Sequence, residues 1–232
     1  MSGGDIHGQI VFRGLNGPAA SVAAQHSQCF AAWYSSVPGL HVVSPYDSFD
    51  CKTLLKSSIR SLTPVVFLEN ELMYSRKFEV EDNFADPNLV EPIGKARIMR
   101  EGNHVTLVSF SRMVGECLIA AEELAKEGVE CEVINLRTIK PLDREAIIKS
   151  VMKTGRLVAV EDGYPTSGVT AEILAVVMES PAFDFLDAPA QRVTGWDIPL
   201  PYAKNLETAA LPQVANIVRA AKNTLDGFRF AK

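Results

Sequence analysis

The sequence predicts an α/β protein built from two units, each containing a mainly parallel sheet. Short apolar runs rich in β-branched residues alternate with segments whose apolar residues recur at helical spacing. Residues 75–92 interrupt this alternation, because they are polar, lack periodicity and contain two prolines. A chain of 232 residues is long enough for a core in each unit. We therefore expect a first unit over 1–74, a linker over 75–92 and a second unit over 93–232.

Three apolar runs of the first unit predict buried parallel strands. They lie at 9–14, 40–45 and 64–70. A helix is predicted over 47–61, between the last two runs, because Asp47 can cap its first turn and Leu54 and Ile59 recur at helical spacing. Three strands with so little helix leave one face of a sheet uncovered. We therefore expect a partner or a further segment of chain to cover that face.

The second unit repeats the alternation and predicts a small α/β sheet. Its strands are predicted at 104–111, 129–136, 156–162 and 190–195. Its helices are predicted at 113–128, 143–155, 167–180 and 208–225. Gly128 and Gly155 end the first two helical patterns, as glycines at helix C-termini commonly do.

The composition argues against several classes of function. A net charge of −5 gives no basic surface for nucleic acid or an anionic membrane. No apolar run reaches the roughly 18 residues of a membrane helix, and the first residues resemble neither a signal peptide nor a transit peptide. The cysteines form no CxxC pair and lie in apolar segments, so we expect buried free thiols in a reducing compartment. They are Cys29, Cys51, Cys117 and Cys131.

His26 is the strongest candidate for a catalytic residue. It follows a predicted strand and a turn rich in Gly, Pro and Asn, which is where α/β folds place ligands. Its neighbours Ala23, Ala24 and Ser27 are small and leave room for a ligand. The alternative is a structural histidine, which is the commoner role of a single histidine beside an apolar helix.

Other candidate sites have weaker support. The Gly-rich turn 163–169 precedes a helix and could hold an anion, although a tight connection explains it as well. Glu69 and Glu71 could form a carboxylate pair at a strand end, although a contact with the linker or a partner is the favoured interpretation. The remaining histidines have no carboxylate or cysteine at metal-ligand spacing. They are His7, His41 and His104.

Several stretches together resemble one family over nearly the whole chain. They include AAQHSQCFAAWY, PGLHVVSP, PVVFLENELMY, KEGVECEVINLRTIKPLD and PAFDFLDAPAQRVTGWDIPLPYAK. In order and spacing these stretches resemble the beta subunits of the first component of the pyruvate dehydrogenase complex, which are transketolase-like proteins. The beta subunits of branched-chain 2-oxo acid dehydrogenase share some of these motifs in a looser form and remain an alternative.

The resemblance implies a thiamine diphosphate enzyme that decarboxylates pyruvate and transfers the acetyl group to lipoyl groups. It implies an alpha2beta2 heterotetramer whose alpha subunit binds most of the thiamine diphosphate and magnesium. Residues 1–74 would be the C-terminal part of a pyrimidine-binding domain, and residues 93–232 a transketolase C-terminal-like domain. The implied location is the mitochondrial matrix, or the cytoplasm in a bacterium.

The resemblance also implies roles for particular residues. His26 falls on the active-site histidine, which faces the thiazolium and the substrate across the alpha–beta interface. Asp187 falls on an acid that binds the dihydrolipoamide acetyltransferase core. Five positions fall on a potassium site that some members hold through backbone carbonyls and polar side chains. They are Ile10, Ser58, Ile59, Ser61 and Thr63.

Departures from the family qualify these expectations. The glutamate that activates thiamine corresponds to a position upstream of this sequence, so we expect the chain alone to be inactive; a non-catalytic assembly fragment is therefore an alternative. At the potassium site, Ser61 and Thr63 stand where the family usually has an acid and an amide, which are better ligands for a hard cation.

We also expect Phe30, Trp33 and Tyr34 to form a partner surface, because little sheet lies behind them.

Overall fold

A computed structural model describes residues 3, 5–80 and 82–225 and has the predicted α/β architecture, with one four-stranded and one five-stranded sheet. The strands are β1 (Val11–Leu15), β2 (His41–Val43), β3 (Val65–Glu69), β4 (Arg97–Arg100), β5 (Val105–Ser109), β6 (Cys131–Asn135), β7 (Thr138–Lys140), β8 (Leu157–Val160) and β9 (Gln191–Val193). The α-helices are α1 (Ala31–Ser35), α2 (Ser48–Ile59), α3 (Met113–Ala125), α4 (Arg144–Thr154), α5 (Val169–Met178), α6 (Lys204–Ala210) and α7 (Val214–Leu225). Short 3-10 turns occur at Ala24–His26, Glu71–Met73, Asp82–Ala85 and Pro181–Phe185.

The first sheet is completed by a strand from the second half of the chain. Its order is β1-β3-β2-β7, and β1, β2 and β3 are parallel, as predicted. β7 pairs antiparallel with β2 and was not predicted, because its three residues follow β6 almost directly and give no separate periodic pattern. The first sheet therefore depends on residues that lie beyond the predicted linker.

β1 is exposed, so the prediction that residues 9–14 form a buried strand is wrong about burial. The strand lies at the edge of the sheet with β3 as its one neighbour in the described part of the chain. Phe12 keeps 56% of its surface exposed and Leu15 keeps 54%. Ile59 is also exposed rather than packed, because it lies five residues after the buried Leu54 and about 140° around α2.

The second sheet has the order β4-β6-β5-β8-β9, with β4 antiparallel to β6 and the other pairs parallel. The four predicted strands are confirmed, and β4 is additional. α3 and α7 pack on one face, and α4 and α5 pack on the other. The cluster that contains α4 and α5 also includes Val42, Val66 and Leu68 of the first sheet. One apolar core therefore extends from the first sheet into the second.

The helix predicted over 208–225 is two helices, α6 and α7. The break contains Pro212, which has no backbone N–H to continue a helical hydrogen-bond ladder. The segment predicted as a linker lies against α2. Lys52 Nζ donates to the Asp86 carbonyl at 3.1 Å, and Ser57 Oγ donates to the Glu91 carbonyl at 2.5 Å. The domain boundaries at 74 and 93 stay predictions.

A buried ionic network joins α2 to the second half of the chain. Asp50 of α2 is fully buried, and Arg137, in the connection from β6 to β7, is almost fully buried. Arg137 Nε lies 3.0 Å from Asp50 Oδ1, and Arg137 Nη2 lies 3.0 Å from Glu91 Oε2. Asn135 Nδ2 donates to Asp50 Oδ2 at 2.7 Å. The network thus ties α2, the 75–92 segment and the start of β7 together.

We predict that Asp50→Ala lowers the free energy of unfolding by about 3–5 kcal/mol, because it leaves the Arg137 guanidinium buried without its main counter-ion. Urea unfolding monitored by circular dichroism measures the change. The matched control is Glu145→Ala, which removes an exposed ion pair with Lys149 and should leave the unfolding midpoint near that of the unsubstituted chain. Equal midpoints for the two variants would contradict the prediction.

Candidate functional site

His26 lies on an exposed loop at the carboxyl end of the first sheet. β1 ends at Leu15, and His26 is the last residue of the short turn that begins at Ala24. Its side chain is exposed, and the adjacent residues are small, as expected from the sequence. A cleft of about 310 Å³ lies beside this turn, lined in part by Ala24, Gln28 and Tyr164. The imidazole is therefore accessible to a ligand from outside the chain.

Two asparagines that directly follow strands hold the base of this loop. Asn16 Oδ1 accepts a hydrogen bond from the Phe30 amide at 2.6 Å, which closes the loop on itself. Gly17 donates its amide to the Gln28 carbonyl at 2.8 Å. Asn70, after β3, donates from Nδ2 to the Asn16 carbonyl at 3.2 Å. The base of the His26 loop is thus fixed to the carboxyl ends of β1 and β3.

The upper part of the loop holds two non-glycine residues in the left-handed region. Ser21 has φ 55°, and Ala23 has φ 61° with ψ −166°. Such conformations cost on the order of 1–3 kcal/mol each, and they concentrate at functional sites. Ser27 Oγ donates to the Ala23 carbonyl at 2.7 Å, which supports the turn from within.

The turn predicted at 163–169 lies against the His26 loop but does not offer a free anion site. Glu161 at the end of β8 accepts hydrogen bonds from the Thr170 amide at 2.8 Å and from Thr170 Oγ1 at 2.7 Å. This carboxylate fills the N-terminus of α5, and burial raises its pKa. A Cβ at Gly163 would lie 3.3 Å from Cys29 Sγ, so glycine allows the turn and the loop to approach closely.

The carboxylate pair considered for Glu69 and Glu71 does not form, so that hypothesis is wrong. Glu69 is buried at the end of β3, where Arg13 Nε lies 2.5 Å away and Tyr74 donates its hydroxyl at 2.6 Å. Glu71 lies in the following 3-10 turn and is exposed. The turn ends the strand alternation that would have placed the two side chains on one side. Burial, with the adjacent Glu69, raises the pKa of Tyr74 to about 12.

The positions assigned to potassium lie around the end of α2 and the start of β3. Ser58 Oγ donates to the Leu54 carbonyl at 2.7 Å, and Ser61 Oγ donates to the Thr63 carbonyl at 3.0 Å. The Ile10 carbonyl accepts the Val65 amide at 2.9 Å. The side chains of Ile10 and Ile59 are exposed. These groups already make internal hydrogen bonds, and potassium binding stays a prediction.

Asp187 lies on the surface between α5 and β9. Its Oδ2 is 3.0 Å from Arg156 Nη2, and its amide donates to the Gly155 carbonyl at 2.8 Å. The side chain remains more than half exposed. It is therefore accessible to a partner, and its role in binding one stays a prediction.

The prediction that all four cysteines are buried is wrong for Cys51. Cys117 and Cys131 are buried, Cys29 is half-buried, and Cys51 lies on the outward side of α2. No disulfide links the four, as expected. Burial of the sulfur raises the pKa of Cys29 to about 12, and the nearby Asp162 carboxylate adds to the shift.

Within residues 5–80 and 82–225, no group of three His, Cys, Asp or Glu side chains could hold a metal ion. No helix in this part of the chain is both long and apolar enough to cross a membrane.

Two domain models match the chain and define its class. The model of the transketolase pyrimidine-binding domain matches residues 1–77, and that of the transketolase C-terminal domain matches residues 94–217. A solved chain described as a split-gene transketolase, inactive beta4 tetramer, shares the fold with a TM-score of 0.78 and 22% identity, covering 98% of this chain and 71% of that one. The chain belongs to the transketolase family.

Within that family the chain is similar to subunit beta of the mitochondrial pyruvate dehydrogenase E1 component. It is 61% identical to the human subunit over 97% of this chain, and 59% identical to subunit beta-1 of Arabidopsis thaliana over 96% of this chain. The resemblance stated from the sequence motifs is thereby confirmed. The chain spans 63% of the human subunit and 61% of the Arabidopsis one.

His26 was proposed from the sequence and its catalytic role stays a prediction, whereas the residues that hold its loop were not predicted. Asn16 and Asn70 each follow a strand of the same sheet by one residue, and this position was a usable signal. Glu207 gave no such signal, because the Ser21 amide that it accepts lies 186 residues away in the sequence and comes close only on folding. Glu161 gave none either, because it meets the Thr170 amide only once α5 has formed.

We predict that the Cys29 thiol of the folded chain reacts slowly with iodoacetamide at pH 8. The thiolate is the reactive form, and a pKa near 12 leaves about one Cys29 side chain in ten thousand ionised at that pH. Mass spectrometry should show alkylation at least about tenfold slower than in a cysteine peptide. The chain unfolded in urea is the control and should react at all four positions. Alkylation of folded Cys29 at the rate of the peptide would contradict the prediction.

Proposed function

We propose that this chain is part of the beta subunit of a pyruvate dehydrogenase that uses thiamine diphosphate, decarboxylates pyruvate and transfers an acetyl group to lipoyl groups. The observation that carries the proposal is His26, exposed on a constrained loop at the carboxyl edge of a parallel sheet. Identity of 61% to the human subunit supports the same activity. A branched-chain 2-oxo acid dehydrogenase is not favoured by these relatives.

The groups present at the site fit the reacting end of the cofactor rather than its diphosphate. His26 offers one imidazole among small side chains, and the described residues form no metal-binding cluster. When bound, thiamine diphosphate supplies an electron sink for the pair released as carbon dioxide leaves. We assign magnesium and most diphosphate contacts to an alpha subunit.

His26 would act directly on the substrate. Its imidazole can donate a proton to the developing oxyanion of the 2-oxo acid, or stabilise that charge as an imidazolium. The small neighbours Ala23, Ala24 and Ser27 leave space for the substrate beside the ring. The two asparagines at the loop base limit how far the ring can move.

An alpha subunit would cover the apolar surface around β1 and α1. Phe12 and Leu15 are more than half exposed, and Trp33 keeps 72% of its surface exposed. Large apolar side chains left exposed in this way mark a surface typical of a protein interface. We propose that this surface forms the alpha–beta contact of an alpha2beta2 heterotetramer and that the alpha subunit then covers the open side of the His26 site.

The remaining assignments follow the family. Asp187, with its exposed carboxylate beside Arg156, would bind the dihydrolipoamide acetyltransferase core. The five positions around Ser61 would bind potassium through carbonyls if those groups accept a second contact. The mitochondrial relatives favour the mitochondrial matrix, and a bacterial enzyme of this class would be cytoplasmic.

We predict that His26→Ala lowers kcat by about a hundredfold or more in the assembled enzyme, because a proton donor or charge stabiliser is lost. The melting temperature should stay within about 2 °C, since the side chain is exposed and leaves no cavity. The matched control, His7→Ala, removes another exposed histidine and should change neither value. Near-normal turnover of His26→Ala would contradict the catalytic role.

We predict that the isolated chain, given thiamine diphosphate and magnesium, does not reduce an electron-accepting dye in the presence of pyruvate. In this chain His26 faces open solvent, whereas decarboxylation of this kind requires water to be excluded from the reacting groups. The control is the same assay with the complete beta subunit and the alpha subunit. Pyruvate-dependent reduction by the isolated chain would show that no alpha subunit is needed to exclude water from the His26 site.

A further inference from the structure

A buried glutamate from the second half of the chain contacts the His26 loop. Glu207 lies in the middle of α6 and is 7% exposed. Its Oε1 accepts a hydrogen bond from the Ser21 amide at 2.9 Å, across 186 residues of sequence. Among the described residues, no lysine, arginine or histidine forms an ion pair with this carboxylate, so the bond to Ser21 is the polar contact observed for it. Burial of a carboxylate is unfavourable unless such contacts compensate it.

The contact falls on the strained part of the loop. Ser21 has φ 55° and Ala23 has φ 61°, so a short arc with two left-handed residues leads to His26. Conformations of this kind persist only where surrounding contacts hold them. From within the loop, Ser27 Oγ holds the Ala23 carbonyl. Glu207 supplies the contact from outside the loop, at the beginning of the same arc.

α6 provides a fixed support for this contact. Ala210, the last residue of the helix, is buried, and its carbonyl accepts the Trp196 amide at 3.0 Å. The Glu207 amide donates to the Ala203 carbonyl at 2.8 Å, which fixes the backbone from which the side chain extends. The position of Ser21 is therefore fixed by the second half of the chain as well as by the first sheet.

We propose that Glu207 is a positioning residue that holds the Ser21–His26 arc and thereby sets the direction in which the His26 imidazole points. The proposal rests on the catalytic role given to His26 in the proposed function. The proposal depends on side-chain length, because the side chain of residue 207 must be as long as glutamate for its acceptor oxygen to meet the Ser21 amide.

Two conservative variants separate the effect of side-chain length from the effect of charge. Glu207→Asp keeps the charge but withdraws the carboxylate by one methylene, which breaks the 2.9 Å contact. Glu207→Gln keeps the length and an acceptor oxygen but removes the charge. Thr208→Ala changes the adjacent, exposed residue of α6 and serves as the control. All three preserve the helix and avoid a large cavity.

The first readout is hydrogen–deuterium exchange of the loop, measured on the chain by mass spectrometry. We expect peptides covering residues 17–28 to exchange about tenfold faster in Glu207→Asp, because the Ser21 amide loses its acceptor, and at the original rate in Glu207→Gln and Thr208→Ala. Peptides from the two sheets should be unaffected. Unchanged loop exchange in Glu207→Asp would overturn the proposal, and so would equal acceleration in the Asp and Gln variants.

The second readout is steady-state kinetics of the assembled enzyme. A misdirected imidazole should lower kcat of Glu207→Asp by about 10- to 100-fold with KM within about twofold, while Glu207→Gln stays near the original. Unchanged kcat in an active enzyme whose loop exchanges faster would overturn the positioning role. If the unsubstituted enzyme itself does not turn over pyruvate, the proposed function fails, and loop exchange still decides whether Glu207 holds the arc.

Discussion

The ion pair between Asp50 and Arg137 is the contact on which the arrangement of the two halves depends. Both side chains are removed from water, and their charges are compensated by each other, by Asn135 and by Glu91. Arg137 adopts φ 61°, and its carbonyl accepts the Ser44 amide at 2.8 Å, directly before β7 joins β2. The pair thus fixes the point at which the chain leaves the second sheet and completes the first. A buried pair of this kind contributes little net stability, but leaving one partner alone is costly, so it favours this arrangement over alternatives.

Several buried carboxylates among the described residues perform the same physical task at different places, as three examples show. Asp50 accepts the Tyr46 amide at the start of α2, Glu161 accepts amides at the start of α5, and Glu207 accepts the Ser21 amide. In each case the charge is placed where backbone N–H groups would otherwise lack partners, which offsets part of the cost of removing it from water. The result is that connections, and not only strands and helices, are held in single conformations. The connection that carries His26 is one of them.

Local pattern was enough to predict most of the secondary structure. Asp47 caps α2 through the Asp50 amide at 2.8 Å, and Gly155 ends α4 with φ 69°, as their sequence positions indicate. β4 and β7 could not be predicted in this way, because β4 is a four-residue strand with two arginines and β7 follows β6 almost directly and gives no separate pattern. The exposure of β1 and of Ile59 was missed for a related reason: an apolar pattern reports which residues favour burial, but not whether a neighbour is present to bury them.

At the candidate site, too, the local sequence pattern predicts some features, while contacts between distant residues determine others. The motifs around His26 point to the family. Its place on a turn after a strand was predictable, and its catalytic role stays a prediction. Its direction is set by contacts that no local pattern contains: Asn70 at the loop base and Glu207 near its top come from two different parts of the fold. Because Ser21 and Ala23 are unfavourable on their own, the loop keeps its shape only while both ends are held. The placement of His26, a side chain accessible to solvent, therefore depends on side chains that are buried and on the association of both halves of the chain.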